Sequence, residues 1–508
     1  MMIQGAIFEF LGSPSLFLWT TLAVFLGIFF GALPGLSVTS GLILLLPVIY
    51  LLDALPALIL VYVMGKSGVF GGCISAISLN IPGGPGSAPT LLDGFPLSQK
   101  GFGVKAIQIA TLSSVIGDFI GDILLVVLVI LFFNLQFAPG PAEIFSIYLC
   151  AFVCVLSVMA AKPLQGILSA TFGFLLQMIG TKSFSQKQDF TFGIPELAKG
   201  IPVIPLMIGM FVLADLILVI SRRLEKRSLP CSQKKDGKSD LNLQECKQCL
   251  PVIFRSSLIG AVVGILPGVG STVAAFLAYY ECKRRAKNKK LWGKGAIEGV
   301  AASEAANNAV SGPSLALLLT LGIPGGSIGI ILGSVLIFYN IEFGQDSQRG
   351  SNALIYQLFF AGFIGIAIYG FIGFFGAKHL YRFVEAIPKN IFYIIILLST
   401  FFSAYSYRGE IFDVLIMTSM GIITLILKKY EFNRVAFLIT FVLSGGLTLS
   451  FQNAILNSKV GIFIFLDKPI ALIFLTIAFV SFVFVILNFY TENFAIRNKR
   501  ISPKFDGD

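Results

Sequence analysis

The sequence predicts an all-α polytopic membrane protein of about 10–14 transmembrane or re-entrant helices, built as two inverted repeats with Gly/Pro-broken helical hairpins. Three observations carry that expectation. Hydrophobic residues fill 56% of the 508 positions, charged residues only 12%, and the mean hydropathy is +0.88; a soluble domain carries roughly a quarter charged residues. Long apolar runs recur along the whole chain. Words rich in glycine and proline interrupt them, and they do so in pairs.

The spans come first. Apolar runs of about 18 residues or more with few charges read as membrane-crossing helices. Candidates are Phe17–Leu33, Ile123–Phe133 with its upstream extension, Ile201–Ile220 around Asp215, Leu354–Phe375, Ile391–Phe402 with its flanks, and Ala471–Tyr490. The opening MMIQGAIFEF lacks the basic segment of a signal peptide, and its apolar run continues into the first span.

Charge sets the expected topology. The net charge of +11 does not point to nucleic acid, because the basic residues gather in loops. One cluster holds Arg222, Arg223, Lys226, Arg227, Lys234, Lys235 and Lys238, and a second runs from Lys283 through Arg284, Arg285, Lys287, Lys289 and Lys290 to Lys294. Smaller groups are Lys378 with Arg382, Lys428 and Lys429 with Arg434, and Arg497 with Lys499 and Arg500. The positive-inside rule places all of these in the cytoplasm. The N-terminus, with no Lys or Arg in its first ten residues, is expected outside and the C-terminus inside. The resulting division is a first membrane half, 1–221, a basic cytoplasmic loop, 222–250, and a second half, 251–508.

Between the two large basic clusters, Val252–Tyr280 must enter and leave on one side. Its length is short for two full spans of about 20 residues each. A helical hairpin broken at Pro267-Gly268 fits instead. GIFFGALPGLSVTSG from Gly27 is similar to GAVVGILPGVGSTVA from Gly260, and LNIPGGPGS from Leu79 is similar to LGIPGGSIG from Leu321. Both pairs keep their order, which gives repeat 1 over about 16–100 and repeat 2 over about 251–343, followed by C-terminal helices. One hairpin starts outside and the other inside, the pattern of an inverted repeat.

The broken words carry the expected site. Irregular backbone within a bilayer is tolerated where it is buried in protein or lines a polar cavity. Free N–H groups at half-helix starts attract anions, and freed carbonyls with hydroxyl and amide oxygens suit a cation. Asn80, Pro82, Gly83 and Ser87 are therefore expected to meet Gly322, Pro324 and Gly325 around a substrate. Ser37, Thr39, Ser271 and Thr272 are expected to line the cavity or a coupling-ion site, with Na+ or H+ as the ion and no other cofactor or metal. The bland alternative is tight turns and small-residue helix packing.

Other polar residues interrupt apolar sequence. In AASEAANNAVSG, Glu304, Asn307 and Asn308 share a helix face that Ser311 extends. This reads as a second part of the ion site, against a glutamate that snorkels to the cytoplasm beside the small residues Ala301, Ala302, Ala305 and Ala306. Asp118 and Asp122 lie one turn apart; helix-end solvation or a minor role near an ion path is weighed against an intramembrane aspartyl protease, whose G-x-G-D word is absent. Asp93 in TLLDGFP is a turn residue or a site residue. Lys66 is the nearest direct positive charge to the broken words, or else it snorkels. Cys246 and Cys249 form a C-x-x-C near Cys231, read as reduced thiols rather than a zinc site, since the single histidine, His379, is remote in sequence. No nucleotide-binding or hydrolytic motif is visible, so the chain is not expected to be an enzyme.

These residues resemble the large membrane subunit of the bacterial tripartite tricarboxylate transporters. The words that carry the resemblance are GALPGL, YVMGKSGVFGGCISAISLNIPG, TLLDGFPLSQKGFGVKAI, GILPGVGSTVAAFLAYYECKR, GKGAIEGVAASEAANNA, LTLGIPG and LDKPIAL, from about Gly27 to Ile470. The resemblance implies secondary transport of organic carboxylates in the inner membrane. It also implies two partners, a small four-helix membrane subunit and a periplasmic solute-binding protein. The chain departs from the family pattern at Thr448 and Gln452, where charge is usual, at Phe70-Gly71-Gly72, where Tyr-Gly-Gly is usual, and in the lysine-rich stretch Arg222–Lys247. A stand-alone ion-coupled carboxylate carrier is the alternative within transport.

Overall fold

Every regular element among the described residues is helical. The computed structural model describes residues 2–33, 37–134, 140–158, 163–180, 190–225, 240–266, 270–286, 288–341, 352–386, 394, 397–398, 400–402, 404–405, 407–430, 432–458 and 460–483. The chain opens with α1 (Met2–Leu11), α2 (Pro14–Ala32), α3 (Val38–Ile49), α4 (Ala54–Leu79), α5 (Leu91–Gln99) and α6 (Gly103–Asn134). Then come α7 (Pro141–Val158), α8 (Pro163–Gln177), α9 (Val203–Met207) and α10 (Ala214–Glu225), the last two joined by a π-helical segment, Ile208–Leu213. α11 (Leu243–Gly264), α12 (Gly270–Arg285), α13 (Ile297–Ala309), α14 (Ser311–Leu321), α15 (Ser327–Phe338), α16 (Asn352–Phe375) and α17 (Ala377–Ala386) follow. Three longer helices close the chain, Ile411–Lys428, Arg434–Leu456 and Pro469–Val483.

Seven helices among the described residues are long and apolar enough to cross a membrane. Three coincide with expected spans, α2, α6 and α16. Four do not: α4, α11, Ile411–Lys428 and the body of Arg434–Leu456. Gly461–Asp467 and Pro469–Val483 pass the same test together, bent by 88° at Lys468. The expected span Ile201–Ile220 is a shorter apolar helix with the π-helical segment at its centre, where Gly209 lies against the backbone of Met417. Half of Ile391–Phe402 and all of Ala471–Tyr490 beyond Val483 lie outside the described residues.

α11 starts earlier than the loop boundary at residue 250 implied. Asn242 accepts the Glu245 N–H at 2.8 Å, and the Glu245 carboxylate accepts the Asn242 N–H at 3.0 Å. That capping box nucleates the helix at Leu243, and Pro251 is absorbed inside it. The break between the hairpin arms falls where it was expected, between Gly264 and Gly270; Pro267 and Gly268 themselves lie outside the described residues.

The chain forms two compact units, Met1–Ala138 with Pro202–Leu425, and Pro139–Ile201 with Ile426–Asp508. In the second unit, Phe145, Phe451 and Phe465 make an aromatic cluster, and Gly173 allows α8 to approach the backbone at Phe437. Thr448 and Gln452, the departures from the family pattern, belong to this unit.

Both stretches expected as repeats, about 16–100 and about 251–343, fall within the first unit. The series α2, break, α3, α4, break, α5, α6 has the same order as α11, break, α12, α13–α14, break, α15, α16. Pro313 lacks the N–H that would bond back to Ala309, which accounts for the seam between α13 and α14 at Val310. Packing is exchanged between the series. α4 packs on α2 and α3, and also on α15 and α16; α13 packs on α11 and α12, and also on α5 and α6. Small residues make the close contacts possible. A Cβ at Gly31 would sit 2.1 Å from the Gly68 carbonyl, and one at Gly117 would sit 2.3 Å from the Ala305 carbonyl. Ala301, Ala302, Ala305 and Ala306 are fully buried in these contacts. The opposite side of α6 exposes Phe119, Ile123, Val127 and Leu131 at every fourth position, a stripe suited to lipid.

Candidate functional site

Both central elements end in the left-handed conformation, α4 at Asn80 (φ 57°) and α14 at Gly322 (φ 70°). Asparagine and glycine are the residues that adopt it at least cost. The chain then runs extended through Gly84 (φ −159°, ψ 167°) into a single 3₁₀ turn, Pro85–Ser87, and through Gly326 (φ −177°, ψ −173°) into α15. No side chain caps the start of α15, so its first N–H groups are free for another acceptor.

The glycines of each break divide into two kinds. Gly83 is a packing residue: its N–H donates to the Gly72 carbonyl at 3.2 Å, and a Cβ would lie 2.0 Å from the Gly31 carbonyl. Gly325 is similar, with Ser314 Oγ 2.6 Å from where its Cβ would be. Gly84 and Gly326, their immediate neighbours, would meet nothing within 4 Å. Sequence reasoning singled out the packed pair and missed the open pair. Only the packing of the helices distinguishes adjacent glycines in a Gly-Gly word.

The contacts described join each break to the central element of the other series. A Cβ at Gly86 would lie 2.1 Å from Asn307 Oδ1 and 2.7 Å from Ser271 Oγ, and one at Gly65 would lie 2.9 Å from the Ile328 side chain. Ser87 is buried against Gly72, Pro324 is buried and Pro82 is half-buried. Direct contact between Asn80–Ser87 and Gly322–Gly325 is not among the described contacts. Ser37 caps α3 by accepting the Ser40 N–H at 3.3 Å, with Thr39 half-buried in the first turn. Thr272 follows Ser271 in the first turn of α12.

The second series places a buried polar cluster beside Gly86. Glu304, Asn307 and Asn308 are at most 2% exposed, so the glutamate does not snorkel. Thr90 Oγ1 donates to Glu304 Oε1. Asn308 Nδ2 donates to Ser114 Oγ at 2.8 Å and to the Glu304 carbonyl at 2.9 Å. Asn307 Oδ1 and Nδ2 and Asn308 Oδ1 have no hydrogen-bond partner. Buried polar atoms without partners are rare and costly. The cluster therefore offers oxygens from a carboxylate, two amides and a hydroxyl, a donor set suited to a hard cation.

The first series places charge at its centre. Lys66 is 3% exposed and does not snorkel, contrary to one of the two expectations. Its Nζ lies 2.6 Å from Asp118 Oδ1 and 2.9 Å from Asp122 Oδ1, and donates to Ser311 Oγ at 2.8 Å. Tyr369 donates to Asp118 Oδ2 and Tyr62 to Asp122 Oδ1, each at 2.8 Å. The aspartates sit mid-helix in α6, fully buried, so helix-end solvation is corrected as well. The i, i+4 spacing aims both carboxylates at one ammonium on α4. Sequence reasoning lacked only the pairing of α4 with α6.

Asp93 is a staple. Its Oδ1 accepts the N–H groups of Gly293, Gly295 and Ala296 at 2.7–2.8 Å, and Oδ2 accepts the Tyr279 hydroxyl at 2.8 Å. It is fully buried and ties α5 to the loop before α13. Among the described residues no cluster of three His, Cys, Asp or Glu side chains could hold a metal ion. Cys246 and Cys249 are free thiols, and Cys231 lies outside the described residues.

A multi-pass helical protein whose broken helices meet buried, unsatisfied polar groups has the build of a membrane transport protein. The comparisons make this particular. The chain belongs to the tripartite tricarboxylate transporter TctA family, whose model matches residues 17–439. This is a transporter family of large membrane subunits that work in tripartite systems, and it is not a family of enzymes. The chain is 27% identical over 497 residues, 97% of its length and 96% of the relative's, to an uncharacterized 52.8 kDa protein in the TAR-I ttuC' 3' region of Agrobacterium vitis. It is 30% identical over 241 residues, 47% of its length and 97% of the relative's, to an uncharacterized protein in the TAR-II ttuC' 3' region of the same organism. No solved structure gives a significant match.

Proposed function

We propose that this large subunit imports tricarboxylates or related organic carboxylates across the bacterial inner membrane, driven by a Na+ or H+ gradient. A periplasmic solute-binding protein delivers the substrate, and a small four-helix membrane subunit completes the complex. The N-terminus is periplasmic, the C-terminus cytoplasmic, and the two series in the first unit are inverted with respect to the membrane. The observation that carries the reading is the pair of matched breaks, each with an open glycine, Gly84 and Gly326, after a left-handed helix end. Substrate carboxylates are held there by free backbone N–H groups, those at the start of α15 among them, and by helix dipoles. The oxygens of Glu304, Asn307, Asn308 and Ser271 hold the coupling cation beside Gly86.

The test is uptake of a panel of labelled di- and tricarboxylates into proteoliposomes, with and without the binding protein and with and without sodium. Uptake at low substrate should require the binding protein. Full-rate uptake by the large subunit alone would establish a stand-alone carrier instead.

A further inference from the structure

We propose that Asp122 binds a coupling proton, in a buried triad with Lys66 and Asp118 that holds one carboxylate more than it has ammonium groups. The proposal rests on the transport reading above and assigns a second ion site to it, separate from the Glu304–Asn307–Asn308 cluster.

The two aspartates are not equivalent. Asp118 is saturated: Oδ1 accepts from Lys66 and from Ser311 (2.6 Å), and Oδ2 accepts from Tyr369. Asp122 Oδ1 faces Lys66 and the Tyr62 hydroxyl, but Oδ2, fully buried, has no partner. Asp118 is thus the standing counter-ion of Lys66, and Asp122 is the surplus charge. An uncompensated charge in a buried site is costly, so the triad calls for one more positive charge. The bare oxygen marks where it goes.

The chemistry of the missing charge follows from its neighbours. A metal cation on Oδ2 would sit close to the Lys66 ammonium, which already occupies the other side of the same carboxylate, and like charges repel strongly at such range. Among the described residues no group of three His, Cys, Asp or Glu side chains is placed to hold a metal ion there. A proton needs no such group. Space for it exists because α16 carries Gly362 there: a Cβ would lie 3.1 Å from Oδ2 and 2.7 Å from the Tyr62 ring. The groups facing Asp122 are Tyr62 and Lys66 from α4, with Asp118 beside it, and Ser311 of α14 and Tyr369 of α16 reached through Asp118. The other buried acids of this unit's centre are engaged elsewhere: Glu304 by Thr90 and Asn308, and Asp93 by Tyr279 and the loop before α13. Lys378, His379 and Arg382 of α17, which packs on α6, are exposed.

In each cycle a hydronium ion on one side gives up a proton, its O–H bond breaking to leave water, as an O–H bond forms to Asp122 Oδ2. On the other side that O–H bond breaks and a water molecule takes the proton as hydronium. Position ties this event to transport. Lys66 is one residue from Gly65, which Ile328 of the second break touches, and Ser311 opens α14, which leads to that break.

The test has two arms on the full chain. Infrared difference spectra of purified protein, with pH as the only variable, should show a buried carboxylic-acid carbonyl band that titrates. The band should vanish in Asp122→Asn, shift in frequency in Asp122→Glu, and persist in Glu304→Gln. A band indifferent to both Asp122 variants, or one removed by Glu304→Gln, overturns the proposal; if Asp122→Asn does not fold, the shift in Asp122→Glu decides. In the second arm the three-part complex is placed in proteoliposomes. A pH gradient should raise carboxylate accumulation at least tenfold in the wild type and not in Asp122→Asn. Wild-type accumulation indifferent to the pH gradient would overturn the coupling role. A complex that moves no carboxylate at all would instead sink the transport reading, while the infrared arm still reports whether Asp122 binds a proton.

Discussion

Counting back 14 residues from the left-handed caps Asn80 and Gly322 reaches Lys66 in one series and Asn308 in the other; counting back 18 reaches Tyr62 and Glu304. The same register, occupied by different chemistry, makes two different centres. Around Lys66 the groups are ionic and, apart from Asp122 Oδ2, fully engaged. Around Asn308 they are amides and a lone carboxylate, and three amide atoms lack partners. The comparison teaches that the architecture fixes where polar groups are buried, while side-chain identity fixes what they can bind. On the readings proposed above, the ion cluster takes a proton at its one bare oxygen, and the amide cluster, with its bare amide oxygens, takes a larger cation.

The comparison is most easily broken at Lys66. Lys66→Met leaves Asp118 and Asp122 buried without their ammonium and should destabilise the protein by about 3–5 kcal/mol. Asn308→Leu, the matched change, removes the donor to Ser114 Oγ and should cost about 1–3 kcal/mol. Thermal unfolding of the purified chains measures both. Equal losses would mean that the two centres do not differ in the way their contacts imply.

The open glycines sharpen the comparison at the breaks. Gly84 and Gly326 are extended, a conformation that any residue adopts, and face empty space. Leucine at either position should leave the melting temperature unchanged and cut carboxylate uptake to below about a tenth, a loss of about 1.4 kcal/mol of binding. Gly83→Leu should instead prevent folding, because its side chain would meet the backbone of α2. Normal uptake by both leucine variants at wild-type abundance would reduce the breaks to turns.

Much of this was legible in the sequence. Gly/Pro words mark breaks because proline removes a helix hydrogen bond and glycine loses the most backbone freedom in a helix, and the breaks stand where Leu79 and Leu321 precede them. Glu304, Asn307 and Asn308 were readable because a polar face on an Ala-rich helix has no place against lipid. α4 was missed as a span because Gly65, Lys66, Ser67 and Gly68 interrupt its run of apolar residues, although the helix as a whole is apolar enough to cross a membrane. Yet α4 is the most enclosed of the candidate spans, 94% buried, and needs no lipid-facing side. The division between Gly83 and Gly84 was not readable at all. It depends on how closely α2 approaches α4, a distance set by Gly27, Gly31 and Gly68 together.

A small expected effect on stability tests the amide centre most directly. Asn307 is buried with its amide nitrogen and oxygen unpartnered, so it is an energetic liability. A polar side chain that leaves no stranded partner can be replaced by an apolar one of similar size at little cost. Asn307→Leu should therefore change stability by less than about 1 kcal/mol, and in the stabilising direction. If Asn307 Oδ1 is a cation ligand beside Ser271 and Gly86, the same change removes one oxygen from the site. The cation concentration for half-maximal uptake should then rise about tenfold, corresponding to about 1.4 kcal/mol, while the pH dependence attributed to Asp122 stays where it was. A stability loss with unchanged cation dependence would show that Asn307 has a structural partner after all, and the amide cluster would cease to be an ion site. Loss of both dependences together would mean that the two centres act as one site, and the contrast between Lys66 and Asn308 would have to be redrawn.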